Sequence, residues 1–379
     1  MLHDTKGRGA PSLTRRLFLG IGGALALPGA ACGFANATDV AAGNRSSVSP
    51  RSRVIDVHTH MLNRSFVELL RTRGGAHYNV KEVIGGQTGI YRDGAPFMTL
   101  TPGMFDYEQR LRAMDEAGVD MAIVTLTSPN CYWGTSDDAL KAAHIVNDDM
   151  AAQSRRYPDR IRFMCSLPWL DSKLALAELK RACDSLGAVG VMVLANVDET
   201  SLTDARFAPI WDEIDRRALP VLVHPTAPPA TKYLDVVQYN LIASVGFMFD
   251  TSLAISRMIF DGFLDRYRNL KLIAAHGGGA LPYLAGRLDI CYDNMPAARV
   301  KISLQPSAYL RRIYYDSVVF RQDALAMCIA VAGDDRVLYG SDYPHNIGDM
   351  KGCLARVDAL PAAQRDAVRG GNAERLFGL

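Results

Sequence analysis

The chain has 379 residues, 49% of them hydrophobic, and a formal net charge of +2. That supply of apolar side chains can fill a large core. The near-neutral balance excludes both the basic excess of a nucleic-acid binder and the acidic run of a solvating tail. Seven cysteines have no CxxC or zinc-finger spacing. Cys165, Cys183 and Cys328 fall inside apolar patterns and read as buried free thiols.

The opening residues read as an address rather than as part of the fold. Thr14-Arg15-Arg16-Leu17-Phe18-Leu19 precedes an apolar run from Ile21 to Leu27, then small residues and Ala35-Asn36-Ala37. This is the pattern of a twin-arginine export signal over residues 1–37 with an A-x-A cleavage site, which places the mature protein in the periplasm. The apolar run is too short to span a bilayer. Gly29-Ala30-Ala31-Cys32 loosely resembles a lipobox but lacks its leucine, so lipidation at Cys32 is the weaker reading. Residues 38–52, rich in Ser, Ala, Gly and Asn without periodicity, read as a disordered linker.

From residue 53 to 379, short Val/Ile/Leu-rich runs alternate with amphipathic segments. Strands are predicted at 54–58, 119–126, 161–167, 189–194, 220–224, 270–276, 313–319 and 336–340. Helices are predicted at 106–117, 137–157 (with Ser136 as N-cap), 172–186, 204–218, 251–267, 322–332 and 362–376. Eight such units predict an α/β fold of the (β/α)8 TIM barrel type, with a doubly wound open sheet as the alternative. Residues 61–103 read as an insertion after strand one, rich in Gly, Tyr, Thr and Arg, that covers the barrel mouth. Residues 226–249 read as a further part of the pocket wall.

The chemistry gathers at strand ends. Val54-Ile55-Asp56-Val57-His58-Thr59-His60 places two imidazoles on one side of a strand, because side chains alternate. Val221-Leu222-Val223-His224-Pro225 ends in a third histidine, and Leu272-Ile273-Ala274-Ala275-His276-Gly277-Gly278-Gly279 ends in a fourth. Val337-Leu338-Tyr339-Gly340-Ser341-Asp342-Tyr343-Pro344 delivers a carboxylate. Taken singly, each histidine reads more readily as a hydrogen-bonded core residue. Strands one, five, six and eight all ending in a metal-capable side chain, on the face where barrel enzymes work, point instead to a metal site. His77 and His144 follow no strand and are set aside.

HxH, HP, HGGG and GSDYP in that order resemble the amidohydrolase superfamily. More narrowly they resemble the branch typified by 2-amino-3-carboxymuconate-6-semialdehyde decarboxylase. The similarity extends to Arg110-Leu111-Arg112-Ala113-Met114-Asp115-Glu116-Ala117-Gly118-Val119-Asp120, to Gly286-Arg287-Leu288 and to Gly371-Asn372-Ala373. The resemblance implies that His58, His60, His224 and Asp342 hold one divalent ion, usually zinc, with manganese or iron as alternatives. It implies that His276 is the catalytic histidine beside the ion. It also implies that Arg287 reaches a neighbouring subunit's site and binds a substrate carboxylate there, hence a homodimer. Arg92 is the nearest candidate for the substrate arginine of the strand-one insertion.

The chain departs from the branch in three places. Strand four ends Val193-Leu194-Ala195-Asn196 with no metal-bridging lysine, which favours a single ion. HP is followed by Thr226-Ala227 where the branch has Trp-Asp. GSDYP is followed by His345 where the branch has an aromatic. An ion held by three neutral imidazoles and Asp342 lowers the pKa of its water to roughly 7, and His276 beside it would act as general base and then acid. These residues predict a metal-dependent non-oxidative decarboxylase of a small unsaturated or aromatic carboxylic acid. A lactonase or amidohydrolase on the same scaffold is the alternative, and a binding protein without turnover the third reading.

Overall fold

The computed structural model describes residues 52–379 apart from Ala76, residues 83–85, Ala230 and Val237. The export signal, Cys32 and nearly all of the linker lie outside the described residues. Eight parallel strands form the central sheet: Ile55–His60, Met121–Thr125, Ile161–Cys165, Gly190–Leu194, Pro220–His224, Lys271–Ala274, Tyr314–Asp316 and Val337–Leu338. They pair in chain order. The eighth returns to the first through the Val57 N–H on the Tyr339 carbonyl at 3.0 Å and the Asp342 N–H on the His58 carbonyl at 2.8 Å. The sheet is therefore a closed TIM barrel, and the open-sheet alternative fails. Almost every strand residue is buried, as expected when helices cover the outside and side chains fill the inside.

Several elements differ from expectation for physical reasons. Thr135, not Ser136, caps the helix Ser136–Arg156, because Asp138 lies three residues on and closes a capping box. The outer helix Leu281–Asn294 was not predicted. Its apolar residues are split between faces, with Tyr283 and Ile290 exposed, so no single stripe marks it. Residues 61–103 hold a helix, Arg64–Arg73, and a three-stranded antiparallel sheet of Tyr78–Glu82, Thr88–Arg92 and Ala95–Thr99. The sheet's first strand is buried only at Tyr78, which leaves little alternation to read. Just beyond it, the Thr101 hydroxyl donates to the Pro344 carbonyl at 3.0 Å, tying this segment to the loop after strand eight.

A buried cation fixes the end of strand one. Arg110 is fully buried on the helix Tyr107–Ala117. It donates to the Thr59 hydroxyl at 2.6 Å and to the His60 carbonyl, and its guanidinium lies 4.8 Å from the Tyr343 ring centre. Charge-assisted hydrogen bonds out of water are expensive to lose, because their acceptors stay buried. Arg110→Met is expected to lower unfolding stability by about 3 kcal/mol in urea titrations. A loss below about 1 kcal/mol would show that the clamp is not needed.

Candidate metal centre

The residues singled out at four strand ends converge. His58 and His60 both lie within strand one, His224 ends strand five, His276 follows strand six, and Asp342 follows strand eight. All five are between 0 and 8% exposed. Asp342 Oδ1 lies 3.2 Å from His60 Nε2 and 3.5 Å from His58 Nε2, while its Oδ2 lies 3.6 Å from His276 Nε2. The His224 ring centre is 5.1 Å from that of His58 and 4.8 Å from that of His60. One donor atom from each of His58, His224, His276 and Asp342 lies within 4.8 Å of the others, and His60, Asp342 and His345 form a second such group.

Three of the imidazoles are held from behind. His58 Nδ1 is 2.6 Å from Asp316 Oδ2, His60 Nδ1 is 2.9 Å from the Thr125 hydroxyl, and His224 Nδ1 is 2.8 Å from the Pro225 carbonyl. Each Nδ1 then carries the proton, so each Nε2 lone pair is directed away from these partners. His58 Nε2 and His224 Nε2 are buried and, among the described residues, have no hydrogen-bond partner. A buried lone pair without a donor is costly. A divalent cation removes that cost, and three nitrogens with one carboxylate are a donor set for such an ion. His276 differs: among the described residues its Nδ1 has no hydrogen-bond partner, while its Nε2 faces Asp342 Oδ2 at 3.6 Å.

The electrostatics of the cluster differ from group to group. Burial drives His60 down to about 3, with the neighbouring His58 and His345 adding to the effect. Burial, together with the adjacent imidazoles, also holds His224 well below the ordinary histidine range. Both are neutral near pH 7 and free to ligate. Burial alone would raise Asp342, but the imidazoles of His276 and His60 beside it outweigh that and hold it well below the usual carboxylate range. For His58, burial is likewise overcome by the Asp316 carboxylate, which raises it.

Asp316 is the site residue that sequence reasoning missed. Besides His58 it accepts the N–H groups of His276 at 2.8 Å, Gly277 at 3.0 Å and Val318 at 2.9 Å. His276 and Gly277 both have positive φ, 56° and 61°, so their consecutive N–H groups cup one carboxylate as a nest. One buried anion thus orients His58 and sets the backbone that presents His276. The clue available was a lone aspartate in the short strand Tyr314-Tyr315-Asp316, whose last two residues are buried. Asp56 was missed in the same way. It accepts the Ser341 hydroxyl at 2.5 Å and the Ser341 N–H at 3.1 Å, and burial pushes it up to about 6.

The remaining candidates fall elsewhere. Arg92 lies on the middle strand of the small sheet, largely buried, 5.9 Å from the Tyr78 ring centre, and its charge acts on the buried Asp250. Arg287 is exposed on the outer helix Leu281–Asn294 and does not join the buried cluster of its own chain. Where a bridging lysine would follow strand four, Asn196 donates to Asp250 at 2.9 Å and to the Ala227 carbonyl at 3.1 Å, and Asp250 accepts the Thr226 N–H at 2.8 Å. That contact braces the loops after strands four and five. His144 pairs with Glu178 at 3.1 Å and His77 with Asp93 at 2.6 Å. A surface cleft of about 480 Å³ beside the helix Arg64–Arg73, lined by Arg64, Glu68 and Arg71, contains none of the cluster residues.

Residues 55–379 match the amidohydrolase family model. The chain belongs to that family. It is 28% identical over 334 residues to 2-amino-3-carboxymuconate-6-semialdehyde decarboxylase of Dictyostelium discoideum, covering 87% of this chain and 92% of that one. It is 30% identical over 298 residues to 6-methylsalicylic acid decarboxylase of Penicillium expansum, covering 77% and 85%. Among solved structures, 5-carboxyvanillate decarboxylase from Sphingomonas paucimobilis superposes with a TM-score of 0.77 at 26% identity, over 86% of this chain and 99% of that one. The 5-carboxyvanillate decarboxylase of Novosphingobium aromaticivorans, complexed with manganese and 4-hydroxy-3-methoxy-5-nitrobenzoic acid, superposes at 0.74 and 25% identity, over 86% and 96%.

Asp316→Asn would turn an amide N–H₂ toward groups that donate. It is expected to weaken metal binding by roughly 10- to 100-fold in competition titrations with a chromophoric chelator. Unchanged affinity would show that Asp316 does not tune the site.

Proposed function

We propose that this amidohydrolase is a divalent-metal-dependent, non-oxidative decarboxylase acting on a small aromatic carboxylic acid. The observation that carries the reading is three imidazoles locked by their Nδ1 atoms around Asp342, with His276 unlocked beside them. That arrangement sits in a chain similar over most of its length to decarboxylases. His58, His60, His224 and Asp342 would hold the ion, and His276 is the group left for proton transfer. When bound, the ion supplies a positive charge that seats substrate oxygens and offsets negative charge developing on the ring as CO₂ leaves.

The rest follows from this chain's own residues. His276, buried and within 3.6 Å of Asp342, is placed to give a proton to the ring carbon that loses its carboxylate. The carbon–carbon bond breaks, its electron pair stays on the ring carbon, and the His276 proton lands there. Zinc is the ion that the imidazole-rich donor set favours. Manganese is the ion in the Novosphingobium relative, and elemental analysis distinguishes them. Arg92 is proposed to contact the substrate from the small sheet.

Arg287 is proposed to serve the site of a second copy in a homodimer. Support comes from exposed apolar side chains on its helix and on a helix bonded to it. Tyr283 and Ile290 are exposed on its helix, and Phe249 and Leu253 on the helix Phe247–Phe260. The two helices are joined through the Ala280 N–H on the Ser252 hydroxyl at 2.8 Å. A patch of that kind marks an association surface. Export by the twin-arginine route to the periplasm is proposed from residues 1–37.

Loss of activity on chelation, measured as CO₂ release from a panel of hydroxylated benzoates and restored by one ion per chain, is the expected result. His276→Ala should keep the ion and lose roughly 10²- to 10⁴-fold in kcat. Hydrolysis of lactones with no CO₂ from any acid would overturn the reading in favour of a hydrolase. Sedimentation velocity and cell fractionation check the other two proposals. A dimer, recovered from the periplasm without residues 1–37, supports them, whereas a monomer or an uncut cytoplasmic chain contradicts the corresponding one.

A further inference from the structure

We propose that His345 is a substrate-contacting residue that hydrogen-bonds a hydroxyl neighbouring the departing carboxylate, and so selects hydroxylated aromatic acids. The inference rests on the decarboxylase reading above and names what sets its specificity. His345 stands three residues beyond Asp342 on a loop that folds straight back. Its N–H donates to the Asp342 carbonyl at 3.1 Å, the Gly348 N–H donates to the His345 carbonyl at 2.9 Å, and the Asp349 N–H donates to the Ser341 carbonyl at 2.9 Å. A side chain at Gly348 would place its Cβ 2.3 Å from the Asp342 carbonyl oxygen, so the return needs glycine there. The loop therefore presents His345 in one place.

That place borders the metal cluster. The His345 ring meets the His60 ring edge-on with centres 5.0 Å apart, and a ring nitrogen lies within 4.8 Å of donor atoms of His60 and Asp342. Its Nε2 is 3.1 Å from the hydroxyl of buried Thr127. Thr127 stands two residues beyond Thr125, which holds His60 Nδ1. The same strand end thus fixes both rings. With four ligands already supplied by His58, His60, His224 and Asp342, and one nitrogen engaged by Thr127, His345 is not needed to complete the ion's shell. Nδ1 is the nitrogen this proposal assigns to the substrate.

The division around Asp342 says which part of the substrate. His276 faces Oδ2 of that carboxylate, whereas His60 faces Oδ1, with the His345 ring edge-on to that of His60. In the proposed pose, a ring whose reacting carbon stands beside His276 would turn a substituent on the adjacent carbon toward His345. An aromatic residue there, as the resembled branch has, offers a face but no hydrogen bond. Histidine offers both.

Two nitro probes separate this role from the others: 4-hydroxy-3-methoxy-5-nitrobenzoic acid and its analogue without the hydroxyl, 3-methoxy-5-nitrobenzoic acid. Calorimetry on the metal-loaded wild type, His345→Phe and His345→Gln is expected to give roughly a tenfold loss for the hydroxylated probe in His345→Phe. The analogue should bind unchanged, the ion content should stay at the wild-type value, and His345→Gln should stay within about threefold of wild type. Equal losses for both probes, no loss for either, or loss of the ion would overturn the proposal, the last by making His345 a ligand. A wild type that binds neither probe and releases no CO₂ sinks the decarboxylase reading itself, and the proposal with it.

Discussion

Buried imidazole lone pairs that the protein cannot satisfy are the constraint on which this structure turns. His58 Nε2 and His224 Nε2 are buried and, among the described residues, have no hydrogen-bond partner, while the opposite nitrogen of each ring is tied to Asp316 or to the Pro225 carbonyl. A fold spends stability to hold such groups in place. The arrangement is sensible only if a cation completes it. The rest of the site braces that cluster: Arg110 fixes the end of strand one, Ser341 is bound to Asp56, and the backbone is left-handed at His276 and Asp342. Strain of that kind persists only where the surroundings over-determine it.

The barrel explains why so few residues suffice. Closure through Val57 and Asp342 brings strand eight against strand one, so residues almost 300 positions apart become hydrogen-bond neighbours. Asp316 and Arg110 then act as fixed charges of opposite sign behind the cluster, each buried completely. Asp316 links a histidine placed as a ligand to the one placed for proton transfer, since His58 and the N–H of His276 share its carboxylate. A displacement of either would be felt by the other.

Much of this was legible in the sequence. Eight apolar runs gave the barrel because a parallel strand buried on both faces leaves a compositional mark, and helix Gln322–Ala332 fell on its predicted bounds. The residues at strand ends were legible because strand periodicity fixes where their side chains point. What the sequence hid was support rather than chemistry. Asp316, Asp56 and Arg110 each act through a partner 50 to 285 residues away, His58, Ser341 and His60 among them, and no local pattern encodes such distances. The helix Leu281–Asn294 escaped for a related reason: its exposed Tyr283 and Ile290 blur the amphipathic stripe. The small sheet after strand one was hidden because short, half-exposed strands alternate weakly.

X-ray absorption at the metal edge of the purified, ion-loaded protein tests the central claim most directly. The account predicts a four-ligand protein shell of three imidazole nitrogens and one carboxylate oxygen at roughly 2.0–2.2 Å, losing one imidazole in each of His58→Ala, His60→Ala and His224→Ala but none in His276→Ala. A shell of oxygens alone, or one that loses an imidazole when His276 is removed and none when His60 is, would contradict it.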